Sequence, residues 1–240
     1  MVRRHFYIPL AIGLLVSFGA TAQLLPTYGE ERAGLSAFTF LKLPIDPAST
    51  GVGGASLAMT DHSFGTLINP ALISGGNQQG VFSANRALGG GINHDFVALT
   101  KARENGQHIA LTLNSLSTGS ILERTVWQPE GTGATTSAAL TCVGLGVSQA
   151  FSEYFHTGVQ LKYGLEQLGV YRAHNVYLDL GFLYKLDIAD LQFAAALTNF
   201  GPNTPLSNMP VGQESALAAT PQMFSMGIQW TAWKKGDHSL

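Results

Sequence analysis

Asp61, His62 and Ser63 set three residue types of a hydrolytic relay side by side. Chain neighbours cannot adopt the mutual geometry of such a relay, whose members come from distant positions, and no G-x-S-x-G elbow accompanies them. Gly51, Gly53 and Gly54 outline a phosphate-cradling loop, but Ser56 takes the third glycine position of G-x-G-x-x-G and no Lys-Ser/Thr pair follows. The seven histidines, at 5, 62, 94, 108, 156, 174 and 238, show no metal-ligand spacing. Cys142, the one cysteine, alternates with Val143 and Leu145 as a packed small residue would, and it leaves no disulfide to form within the chain. The sequence therefore predicts no enzyme, no cofactor and no metal site. Lys162, Glu166, Asp179 and Lys185 carry opposite signs at heights that allow pairing across strands, either as mutual neutralisation or as a path for an ion or solute.

The elements that would position these groups read as strands. Val159, Leu161, Tyr163 and Leu165 point one way; Gly158, Gln160, Lys162, Gly164 and Glu166 point the other. The rhythm recurs with Val176, Leu178, Leu180, Phe182 and Tyr184, with Leu191, Phe193, Ala195 and Leu197, and with Phe224, Met226, Ile228 and Trp230. One face is apolar and the other polar or very small. A soluble sandwich gives the same alternation, so the pattern alone does not decide which face turns inward. Segments near 107–121, 137–150, 154–167 and 174–186 exceed the usual soluble strand and match the roughly 9 to 11 residues that cross a bilayer, with overhang.

The chain opens with Arg3 and Arg4, an apolar stretch from Tyr7 to Phe18, and the small residues Ala20 and Ala22, which predicts a signal peptide over 1–22 and export. With 45% hydrophobic and 12% charged residues, 28 glycines and a net charge of −2, there is little hydrophilic surface and no clustered basic face for nucleic acid. Residues 23–79 lack regular periodicity; the strand pattern runs over 80–240.

Connections also differ by end. Ala102 to Gly106, Phe151 to Tyr154, Ile188 to Asp190 and Lys234 to Asp237 read as tight turns. Between them fall Gly89 to Asn93, Leu122 to Thr136, Gly169 to Ala173 and Gly201 to Pro221, the second and fourth of them long. Short periplasmic turns and longer outward loops characterise outer-membrane barrels, and aromatics near strand ends (Phe151, Tyr154, Phe155, Tyr171, Phe200, Trp230, Trp233) suit interface girdles. The expected fold is all-β, an antiparallel transmembrane β-barrel with an N-terminal plug, residing in the cell outer membrane with its lipid bilayer as one partner. A soluble exported β-protein with carbohydrate affinity is the alternative, its aromatics lining a groove.

The run from Ala37 to Ala55, AFTFLKLPIDPASTGVGGA, followed by Asp61 and then Asn69, Pro70, Ala71 and Leu72, resembles the opening of the PorV/PorQ family of outer-membrane proteins, with its FLxLPxxARxxGxGGA segment, acidic residue and NPA box. The residues that carry the likeness are Phe38, Phe40, Leu41, Leu43, Pro44, Gly51, Gly53, Gly54, Ala55, Asp61, Asn69, Pro70 and Ala71. Thr198, Asn199, Phe200, Gly201 and Pro202 resemble the NxGP that the family places after a middle strand. Ser49 stands where an Arg is common, and the NPALI ending at Ile73 leans toward the PorQ branch.

The resemblance implies a FadL-like barrel of about 14 strands. It also implies a scaffold or shuttle for type IX protein secretion and surface attachment, with other secretion-system or surface-attachment proteins as partners. A FadL-like channel for hydrophobic small molecules is the second reading. Only about eight strands are counted here, and the ending at His238, Ser239 and Leu240 leads to the expectation that C-terminal strands are missing. Prolines 44 and 47 and glycines 51, 53 and 54 predict an irregular, closely packed run within 23–79, acting as a hatch or as a clamp that fills space. Asp61 is expected to cap nearby backbone N–H groups, and Asn69 to start a turn or short helix.

Overall fold

Alternation of period two makes a two-faced sheet, and only tertiary packing decides which face is covered. The structure, a computed structural model, describes residues 36–59, 64–75, 80–188, 190–205, 217–231, 234–235 and 238–239. The signal-peptide region, Asp61 with His62 and Ser63, and Trp233 lie outside the described residues.

The long strands are β1 (Gly80–Gly89), β2 (Ile92–Ala102) and β3 (Gln107–Ser117), then, after the small pair β4 (Ile121–Leu122) and β5 (Thr135–Thr136), β6 (Ala138–Ala150), β7 (Phe155–Leu168), β8 (Tyr171–Lys185) and β9 (Gln192–Phe200). The pair β10 (Thr204–Pro205) and β11 (Leu217–Ala218) precedes β12 (Met223–Gln229), and β13 (Lys234–Lys235) pairs with β14 (His238–Ser239). An eight-stranded antiparallel meander runs in the order β1-β2-β3-β6-β7-β8-β9-β12. Its edges, β1 and β12, each have one partner strand, so the described sheet is open.

Register is unbroken from β2 through β8, as in Val147↔Val159 and Leu161↔Leu178. It shifts between β8 and β9, where Leu178 pairs with Phe200 but Leu180 with Leu197. Two residues there oppose one, a β-bulge, and Asn199 takes the left-handed conformation at φ 57°.

The loops follow the expected asymmetry only in the two long excursions; the connections expected at Gly89 to Asn93 and Gly169 to Ala173 are the tightest of those joining strands of the eight-stranded sheet. Gly90 with Gly91, and Gly169 with Val170, close two-residue turns at one end, where the long excursions between β3 and β6 and between β9 and β12 also leave. At the other end the connections are short, and the Tyr154 hydroxyl donates to Asp187 at 2.9 Å, tying two adjacent turns. That hydrogen bond raises the phenol pKa above its ordinary value.

The two faces are the reverse of a soluble sandwich. Leu145, Leu161 and Met226 are 64%, 54% and 64% exposed, while Gln160 and Asp179 on the opposite face are 2% and 1% exposed. The polar face is buried because residues 36–75 lie against it. That segment is built of single turns: a 3₁₀ turn at Thr39–Lys42, α1 (Pro47–Gly51), a 3₁₀ turn at Gly65–Leu67 and α2 (Leu72–Gly75). Asp46 starts α1, its carboxylate accepting from the backbone N–H of Ala48 and Ser49 at 3.2 and 2.6 Å, with Pro47 at the first helical position. The core lies between segment and wall. Phe38, Phe40, Leu140, Cys142 and Tyr177 form one cluster, and Leu57, Ala71, Leu72, Leu183 and Ala194 another.

Candidate functional site

The contact between the N-terminal segment and the inner wall gathers Phe38, Phe40, Leu41, Asn69, Pro70 and Ala71 of the residues that the motif singled out. Phe38 is fully buried, its ring 5.5 Å from Tyr177 in an edge-on arrangement, and its left-handed backbone (φ 54°) aims its N–H at Glu166, whose carboxylate accepts at 2.6 Å. Phe40 is buried beside the His94 ring, and His94 Nε2 in turn meets Asn114 Oδ1 at 2.7 Å. Leu41 is half-buried at the edge of a cavity. Leu43 and Pro44 are exposed, although the Pro44 carbonyl accepts from the Arg86 guanidinium on β1.

The second anchor is the box at Asn69, Pro70 and Ala71, all buried. The Asn69 amide donates to the carbonyls of Leu57 at 3.3 Å and Phe182 at 3.2 Å, and its Oδ1 accepts from the Ala71 N–H at 3.0 Å. One side chain thus joins two parts of the segment to β8. The fit depends on glycines in the wall: a Cβ on Gly181 would stand 1.9 Å from Asn69 Oδ1, and one on Gly158 would stand 2.3 Å from the Pro70 backbone. Past the box, Ser74 Oγ lies 2.5 Å from Ser148 Oγ and 3.3 Å from His156 Nδ1, which docks α2 on β6 and β7.

Gly51, Gly53, Gly54 and Ala55 do not pack closely, contrary to expectation: all four are exposed, and a Cβ on any of the three glycines would meet nothing within 4 Å. Gly53 and Gly54 serve conformation instead, with φ of 66° and 85° as the chain leaves α1, Gly54 N–H donating to Ser49 O at 2.7 Å. Close approach is provided by Gly158 and Gly181, which the strand pattern recorded only as small residues on the inner row. Gly144 and Gly146 on β6 likewise face inward, against Gln160 and Ile73, and β6 keeps an unshifted register with both neighbours.

The inner charges pair in part as the alternation suggested. Lys162 Nζ meets Asp179 Oδ2 at 2.6 Å and also donates to Asn199 Oδ1. The bulge turns the Asn199 N–H onto Asp179 Oδ1 at 2.7 Å, and the Asn199 amide donates to Pro221 O at 3.3 Å. Glu166 instead holds the Phe38 backbone. Sequence reading passed over Ser74 and the wall glycines, because their partners are remote in the chain; it also passed over Asp46, although an acidic residue before Pro47 is a local helix-start signal.

Between the segment and the β9–β12 edge lies a cavity of ≈ 530 Å³. Leu41, Ile45, Leu57 and Ile68 line it together with Lys42, Asp46, Asn114, Thr198 and Ser225, so its wall is mixed apolar and polar. Among the described residues no group of three or more His, Cys, Asp or Glu could hold a metal ion. The arrangement is suited to holding one polypeptide segment against a wall and to enclosing apolar volume. No protein-family model matches the chain, and no curated protein matches it significantly.

Proposed function

We propose that this chain forms the wall of an outer-membrane β-barrel, with residues 36–75 as an internal hatch, and that it acts without catalysis as a scaffold or shuttle in type IX protein secretion and surface attachment. The observation that carries the membrane part is the inverted sheet. Its apolar rows are open and its polar rows covered, an arrangement that in water leaves a contiguous greasy band and in a bilayer meets its proper solvent. A hydrogen-bonded ladder is also a backbone that hydrocarbon tolerates. Eight strands closed on themselves leave room for little more than side chains, so a wall that surrounds this hatch needs more strands than these eight. The secretion role rests on the likeness of residues 37–72 to the PorV/PorQ opening, whose anchoring residues Phe38, Phe40, Asn69 and Pro70 are the ones the wall grips.

Cell fractionation tests the barrel: enrichment in the outer membrane, with migration on gels that changes on boiling, is expected, and a soluble periplasmic species overturns it. Pull-down from detergent-solubilised envelopes is expected to recover secretion or surface-attachment proteins; recovery of none removes the scaffold role. The ≈ 530 Å³ cavity, whose lining includes Leu41, Ile45, Leu57 and Ile68 beside polar groups, favours a second reading, a FadL-like channel for hydrophobic solutes. Uptake of a labelled fatty acid that is unchanged on gene deletion eliminates it.

A further inference from the structure

The loop between β3 and β6 ends in a feature that neither reading uses. Val126 and Trp127 are 92% and 91% exposed, more than any other large apolar residue among those described. They are the two central residues of a turn closed by Thr125 and Gln128: Gln128 N–H donates to both Thr125 O and Thr125 Oγ1 at 3.1 Å. Central turn positions favour Gly, Asn, Asp or Pro, so a β-branched residue and an indole there run against both local preference and solvation.

The tip is braced as well. Glu123 N–H donates to Ala134 O, and Thr132 N–H to Glu123 O, each at 2.9 Å, while a second turn, Gln128 to Gly131, carries Pro129. Nothing in the chain covers the indole among the described residues, and the brace has already removed much of the ordering cost of binding. Indoles held in this way are typical centres of protein–protein contacts. Lipid is the poorer occupant: the charges beside the tip are Glu123, Arg124 and Glu130, a net negative set that anionic head groups repel.

We propose that Val126 and Trp127 are an anchor for a protein partner that presents an apolar socket rimmed by basic side chains. The proposal deepens the scaffold reading, since it rests on this end of the sheet facing outward.

Its test places the photo-reactive residue benzoylphenylalanine at Trp127 in intact cells, with the same probe at Thr135 as control. The expected result is one adduct of discrete mass, at least tenfold stronger than the control, that falls at least fivefold when Glu123→Lys and Glu130→Lys are added. Absence of the adduct, an adduct with the mass of two copies of this chain, or an adduct indifferent to charge reversal overturns the proposal. So does quenching of wild-type emission by vesicles of brominated phosphatidylcholine that is lost in Trp127→Phe, because the occupant is then lipid. Heat-modifiable migration is read on the same samples: if it persists without the adduct, only this anchor fails, and if it is absent, the barrel reading fails with it.

Discussion

Lys162 and Asp179 are 12% and 1% exposed, so their pairing is decided by desolvation more than by attraction. Removing one partner strands the other: Lys162→Met is expected to destabilise the protein by about 3–5 kcal/mol, and adding Asp179→Leu to recover part of the loss, since Asn199 N–H then loses its acceptor, as read by urea unfolding in detergent micelles. Asn69 is held by a different economy, with three hydrogen bonds to backbone groups. Asn69→Ala leaves those groups bare at about 1–3 kcal/mol each where water does not reach them, and the expected sign is faster protease cleavage within 36–75 while the strands stay protected.

At the scale of elements, β7 and β8 divide their labour by face. Gly158 and Gly181 open the inner row for the Asn69–Pro70 box, so Gly181→Ala forces a methyl onto Asn69 and is expected to cost about 1–3 kcal/mol, with the segment released before the sheet melts. The outer row behaves oppositely. Leu161, 54% exposed, would tolerate a charge on any water-facing surface, whereas facing lipid near the midplane Leu161→Arg costs about 2–4 kcal/mol. Accumulation of that variant in the outer membrane is expected to drop sharply while Val126→Arg, in the loop, accumulates normally; equal accumulation of the two argues against a lipid-facing row.

For the whole molecule, segment 36–75 and the sheet depend on each other asymmetrically. The segment is a chain of single turns too short to persist alone, and its cores consist of contacts with the sheet. The sheet's ladder is formed strand to strand, so it is expected to survive without the segment. Deleting residues 36–75 is therefore expected to leave a heat-modifiable wall but to open its interior, seen as increased sensitivity of cells to a large glycopeptide antibiotic normally excluded by the outer membrane. Unchanged sensitivity, with the deleted protein present at normal levels, indicates that the segment fills space without sealing a passage.

Much of this was written in local pattern. Alternation at Val159 to Glu166 and at Val176 to Lys185 marks the strands to within a few residues, because a pleated backbone has period two wherever it lies; the long loops and the box at Asn69 are legible for similarly local reasons. What period two cannot encode is which face is covered. That was decided by segment 36–75 lying on the polar row, through contacts as remote as Phe38 with Glu166 and Asn69 with Phe182. The same reason explains the glycines: Gly53 and Gly54 of the motif were conspicuous in sequence yet serve their own backbone angles, while Gly158 and Gly181, inconspicuous among strand residues, allow the closest approach of the segment to the wall among the described glycines. A turn angle is local and can be read from the chain, but the distance between two segments exists only once both have been brought together.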